Sequence, residues 1–305
     1  MTQHTASSAH WQDLLLTALA PILFSSTYVV ATTMLPPDRP FTGALIRVLP
    51  AGLLLLLWQR KLPKRNEWGK LFTLAMVNIT AFQAFLFVSA YRLPGGQAAV
   101  LSALSPLMLM LLGVVADKVR FAPIAVAAGA ASVVGMALLM LSPDMAWDSI
   151  GTAAALLAAV MTALGIWLVR RWQLSLPVLA LSGWQLLLGG IMLAPLAIIY
   201  DAPLPALGVK AIAGYAYLTL FGTMLAYVLW FRGMQKLPPV AVGAVGLLSP
   251  IGAIVWGWAL LGQAIGGQGL VGLAVVLVSI LLMQRYGAGI KKSATTHTVL
   301  NRKHV

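Results

Sequence analysis

One arginine stands inside an otherwise apolar run. Arg47 follows Phe41 by six residues, roughly 9 Å along a helix that rises about 1.5 Å per residue. A charged side chain at that depth is unfavourable by about 2.5 to 3.5 kcal/mol on insertion scales, which marks it as a functional candidate. Its planar guanidinium fork matches a substrate carboxylate. The competing reading is a long side chain that reaches back to the nearer interface. Other polar groups also lie in apolar runs: the amides Asn78, Gln83 and Gln97, and Gln185 beside Trp184. Tyr215, Thr219, Thr223, Tyr227 and Trp230 recur at helical steps and form a stripe about 120° wide. Ser25, Tyr28 and Thr32 repeat that pattern nearer the N-terminus. Hydroxyls, amides and rings of this kind suit the wall of a cavity that holds a small organic solute. They equally suit helix packing, where each interhelical hydrogen bond is worth about 1 kcal/mol.

What the runs lack is as informative. The chain has no cysteine, and its four histidines, His4, His10, His297 and His304, lie in the tails. All seven acids (Asp13, Asp38, Glu67, Asp117, Asp144, Asp148 and Asp201) stand at run ends or in loops. Hydrolysis needs a nucleophile with a base, and a metal site needs clustered donors. The expectation is therefore no enzyme, no cofactor and no metal. A central carboxylate that carries protons is not expected, nor is one that binds cationic drugs.

The elements that must position these residues follow from composition. With 60% hydrophobic residues, 9% charged and a mean hydropathy of +0.92, the chain is far from the roughly 25% charge of a soluble domain. Ten apolar runs have the length needed to cross a bilayer: 14–34, 41–59, 71–90, 97–116, 123–141, 151–169, 177–199, 211–231, 240–262 and 268–284. Runs this long without alternation predict helices rather than a barrel. The first lacks a preceding Lys or Arg and is too long for a signal h-region, so it reads as a retained helix. The net charge of +13 points to no nucleic-acid partner, because the basic residues fall between apolar runs. Sixteen Lys and Arg lie on one side and three (Arg39, Arg92, Lys210) on the other, so the positive-inside rule predicts both termini in the cytoplasm of an inner, plasma membrane.

The chain carries one plan twice. Leu93-Pro94 to Ser105-Pro106 returns as Leu237-Pro238 to Ser249-Pro250, an offset of 144. Aligning the halves sets Arg47 opposite Gln185, Gly52 opposite Gly190, Gln83 opposite Tyr227 and Gly129 opposite Gly272. Small residues in the fifth and tenth runs (Ala125, Gly129, Ser132, Gly269, Gly272) allow close helix contact. Arg92 and Lys236 are repeat mates on opposite sides, as an inverted arrangement requires. The expected fold is an all-α membrane protein of ten transmembrane helices, two inverted five-helix repeats around a central cavity. Its parts are an N-tail (1–13), a first repeat (14–141), a linker (142–150), a second repeat (151–284) and a basic C-tail (285–305). That tail reads as disordered and held near anionic lipid, at about 1 kcal/mol per basic residue. Pro106 and Pro250 fall in matching runs, and interrupted helices at matching positions point to hinges around a binding site.

Ten spans in two repeats, Arg47 early in the second, the paired Leu-Pro entries and the prolines of the fourth and ninth together resemble the EamA-type proteins of the drug/metabolite transporter superfamily. The likeness covers nearly all of 14–284. It implies ten helices around a central cavity and export of amino acids, related metabolites or drugs by alternating access. Many such proteins carry a Glu near the ends of the fourth and ninth helices; here those places hold Asp117 and Gln263.

The expected function is export of a small zwitterionic or anionic metabolite, by uniport or exchange. Arg47, Gln185, Trp184, Gln83, Tyr227, Tyr28, Thr223 and Asn78 are the candidate substrate contacts. The expected partners are that solute and the lipid bilayer, with the chain a monomer or weak dimer. The alternatives are multidrug efflux on the same fold, a channel, or a membrane scaffold.

Overall fold

A computed structural model describes residues 2–118, 121–141, 148–237, 245–263 and 266–287. Most of the expected linker, Pro238 and the tail beyond Gly287 lie outside these residues. Among the described residues ten helical units follow in order: α1 (Thr2–Thr33), α2 (Pro40–Gln59), α3 (Arg65–Arg92), α4 (Gly95–Asp117), α5 (Pro123–Met140), α6 (Ser149–Trp172), α7 (Val178–Tyr200), α8 (Val209–Thr219, Leu220–Leu225 and Ala226–Lys236), α9 (Leu248–Leu261) and α10 (Gly267–Gly287). Eight are long and apolar enough to cross a membrane; α5 and the described part of α9 are shorter apolar helices. The first helix reaches back to Thr2, into the segment expected as a tail.

Three irregularities recur 144 residues apart. Met76–Ala81 in α3 and Leu220–Leu225 in α8 are π-helical turns at equivalent positions. In α4 the helix stops at Ser102 and restarts at Ser105, with Pro106 in the new first turn, where a missing N–H costs nothing. The turn at Leu247 precedes Ser249-Pro250 in the same way. The prolines expected in mid-helix thus sit in the first turn after a break. The third recurrence is the end of each helix: Lys118 and Gly262 both adopt left-handed φ, at 51° and 64°, and their N–H groups return to the carbonyls of Gly113 and Gly257.

The repeats interlock rather than sit side by side. Helix α2 packs on its own repeat mate α7, and α5 on α10. A Cβ at Gly52 would strike the backbone of Leu187, and one at Gly190 would come within 2.8 Å of Leu49 Cβ. Repeat-equivalent glycines thus let the two helices cross at contact distance. At the other crossing a Cβ on Gly272 would meet the carbonyl oxygen of Gly135 at 2.6 Å. Helix α1 packs on α8 and α9, and α6 packs correspondingly on α3 and α4.

Contacts between connections define two sides. On one, Arg39 donates to the carbonyls of Ala202 and Pro203, Tyr91 to that of Pro36, and Arg92 pairs with Asp148. This is the mouth side. On the other, Glu67 accepts from Ser175, Asp117 accepts from Trp167 and Arg171, and Asp13 pairs with Arg232 and Lys236.

Candidate functional site

Arg47 is 3% exposed and projects from α2 onto the π-turn of α8. Its Nε donates to Thr223 Oγ1 at 2.6 Å and its Nη2 to the Gly222 carbonyl at 2.8 Å. A π-turn shifts the backbone ladder and frees carbonyls for such donors. The guanidinium lies 5.9 Å from the ring centre of Phe87 on α3, a cation–π distance. Nη1 is buried with no partner, and among the described residues no carboxylate lies within ion-pair distance of Arg47. A cation buried this way keeps a large desolvation penalty that neutral donors offset only in part. It lacks an anion.

The repeat supplies a neutral counterpart. Asn78, in the π-turn of α3, donates from Nδ2 to Gln185 Oε1 on α7 at 2.7 Å. Asn78 is the equivalent of Gly222, and Gln185 that of Arg47. Each π-turn is therefore tied to the second helix of the opposite repeat, once through a guanidinium and once through two amides. Neighbouring bonds reinforce both: Thr219 Oγ1 donates to the Ile46 carbonyl, and Thr80 Oγ1 to that of Gly189, each at 3.1 Å.

The phenols of Tyr28 on α1 and Tyr227 on α8 share the electrostatic surroundings of Arg47. Tyr227 also meets Phe24 edge-on, with ring centres 5.5 Å apart. Gln83 is 1% exposed with an unpartnered Oε1, and Thr223 is fully buried. Helices α1, α2, α3, α7 and α8 thus bury Tyr28, Arg47, Gln83, Gln185 and Thr223, with Asn78 and Tyr227 half-buried beside them. Trp184 lies elsewhere: its Nε1 donates to the Lys61 carbonyl in the α2–α3 connection and its ring meets Trp68 at 5.2 Å. The shift of one helical step from Gln185 turns Trp184 toward Trp68 at the start of α3 and away from Asn78. Sequence reasoning missed Phe87 and the Gly222 carbonyl, since an apolar ring and a main-chain oxygen give no polar signal in an apolar run. It also treated α8 as a regular helix, whereas the π-turn changes the phase between Thr219 and Tyr227.

Arg47, Gln83 and Thr223 are each covered by the described residues in this conformation. Two cavities, of about 560 and 420 Å³, lie instead toward the mouth side and share Phe41, Val88 and Ile150. The larger is apolar, between α3, α6 and α7; the smaller ends among Asp38, Arg92 and Asp201. No group of three or more His, Asp or Glu converges among the described residues.

A family model described as "EamA-like transporter family" matches the chain twice, over residues 11–141 and 149–285, once for each five-helix unit. The chain belongs to the EamA-like transporter family. It is a multi-pass membrane transporter, and the double match falls on the two repeats that build the fold. Protein PecM of Dickeya dadantii is 36% identical over 268 residues, covering 87% of this chain and 90% of that protein. A WAT1-related chloroplastic protein of Arabidopsis thaliana is 30% identical, covering 87% and 68%. YedA of Escherichia coli K12, an uncharacterized inner membrane transporter, is 24% identical, covering 86% and 87%. A solved crystal structure superposes with a TM-score of 0.62 at 18% identity, over 89% of this chain and 96% of that one. That likeness concerns the fold alone.

Proposed function

We propose that this EamA-like transporter is an inner-membrane carrier that exports a small metabolite bearing a carboxylate, an amino acid or a related zwitterion or anion, by alternating access. The observation that carries the reading is Arg47: a buried cation held by a hydroxyl, a carbonyl and an aromatic ring, with one donor pair unused. A carboxylate that reached it would complete its hydrogen bonds and supply the missing charge. Tyr28, Gln83 and Tyr227 offer groups for the rest of the solute. The excess of basic residues on the side opposite the mouth supports cytoplasmic termini, with the mouth facing outward. The name of YedA supports an inner-membrane location. All seven acids lie outside the ten apolar runs of the sequence, which supports uniport or exchange over proton coupling.

The test is counterflow of radiolabelled amino acids and related carboxylates in proteoliposomes, with and without a pH gradient. Saturable counterflow that ignores the gradient and disappears in Arg47→Gln is the expected result. Flux that follows the gradient, or survives unchanged in that variant, would refute the assignment.

A further inference from the structure

Two ion pairs occupy matching places in the two repeats, on opposite sides of the molecule. On the mouth side Arg92 Nη1 meets Asp148 Oδ2 at 3.2 Å; on the other, Arg232 Nη2 and Lys236 Nζ meet Asp13 Oδ1 at 2.6 and 3.5 Å. Arg92 and Lys236 stand 144 residues apart and end α3 and α8, the third helix of each repeat. Asp148 caps the start of α6 and Asp13 lies in the N-terminal part of α1, so each acid belongs to the first helix of the opposite repeat. Glycine makes both crossings tight: a Cβ on Gly151 would meet Arg92 Cβ and Leu93 Cγ at 2.9 Å, and one on Gly233 would strike the Thr17 side chain.

We infer that these are the two gates of the transport cycle: Arg92–Asp148 closes the mouth side, Asp13 with Arg232 and Lys236 closes the other, and each opens in turn. The inference rests on the alternating-access reading above. Both gates are shut here, in keeping with the burial of Arg47, Gln83 and Thr223 between them. The strength of the pairs suits the role. Partly exposed ion pairs bias a two-state equilibrium by roughly two- to fivefold, enough to favour closure without locking it. Asp13 has two basic partners and Asp148 one, so the mouth-side gate is the easier to open.

The chain has no cysteine, so a single introduced thiol is a unique reporter. Gln83→Cys places it in the closed interior, and a charged, membrane-impermeant maleimide is added to one side or the other of oriented vesicles. Asp148→Asn removes the charge while Asn still caps the helix; it should raise labelling from the mouth side about two- to fivefold and leave the opposite side unchanged. Asp13→Asn should do the reverse, and the exchange Arg92→Asp with Asp148→Arg should restore the slow rate. Equal labelling in all variants, or both neutralisations acting from the same side, would overturn the gates. Because labelling needs no substrate, a wrong substrate class leaves its outcome untouched. Counterflow that depends on Arg47 without any change in labelling would sink the gates alone.

Discussion

At the residue scale the molecule turns on one buried guanidinium. Folding strips water from Arg47 and returns two hydrogen bonds and a ring, but no anion. An uncompensated buried charge is destabilising, and an apolar group of similar length removes that cost. Arg47→Met should therefore keep or raise the thermal midpoint in detergent while it abolishes counterflow; a large drop in midpoint would show that Arg47 serves the fold. Arg47→Lys keeps the charge but loses the planar fork, and so should raise the apparent KM more than it lowers the maximal rate. Asp148 makes a second, pH-dependent prediction. The Gly151 N–H first, and Arg92 next, hold its carboxyl below the usual aspartate range, which centres near 3.9. Its stabilising contribution is full above the unfolded value and is lost as pH falls through the lower folded value. Mouth-side labelling should thus stay flat across neutral pH and rise only under strong acid; a rise around pH ~6 would contradict that assignment.

At the element scale glycines decide where helices can approach. Gly52→Ala places a methyl against the Leu187 backbone and should destabilise by about 1 to 3 kcal/mol, as overpacking does. Gly69→Ala, with nothing within 4 Å, should be neutral or stabilising by up to about 1 kcal/mol. Thermal midpoints of the two variants separate packing from propensity. Gly165 is a sharper case, because a Cβ there would collide with the Asn78 side chain and break its bond to Gln185. If the paired π-turns matter to transport, Gly165→Ala lowers flux more than its effect on stability explains. The long helices were legible in the sequence because each needs about 20 apolar residues. The π-turns were not: MVNITA and LFGTML are ordinary helix sequences, and only contact with the opposite repeat selects the wider turn. The helix breaks were half legible. Ser-Pro marked the place, while the break at Ala103 and Leu104 just before it depends on packing around Leu101 and Leu104, both buried.

At the scale of the whole molecule the two halves are held by crossings between repeats: α2 on α7, α5 on α10, α1 on α8 and α9, α6 on α3 and α4. Neither half can bury its inner faces alone. Residues 1–141 expressed without the rest should therefore be degraded or aggregate, while co-expression with 148–305 should restore a purifiable complex, checked by affinity capture of a tag on one half. Recovery of a stable, monodisperse first half would contradict the interlocked arrangement.

Sequence by itself determined the solvent, the helices and the duplication. A bilayer demands long apolar helices, and an ancestral copy leaves its spacing of 144 residues in Leu-Pro and Ser-Pro. It also singled out Arg47, since an intramembrane charge is rare. The tertiary structure alone decided which groups Arg47 meets, that Trp184 faces the α2–α3 connection, and that Arg92 and Lys236 find acids on the opposite repeat. Those facts depend on helix rotation and on contacts between residues distant in the chain, 56 positions apart for Arg92 and Asp148 and 176 for Arg47 and Thr223, which no local pattern encodes.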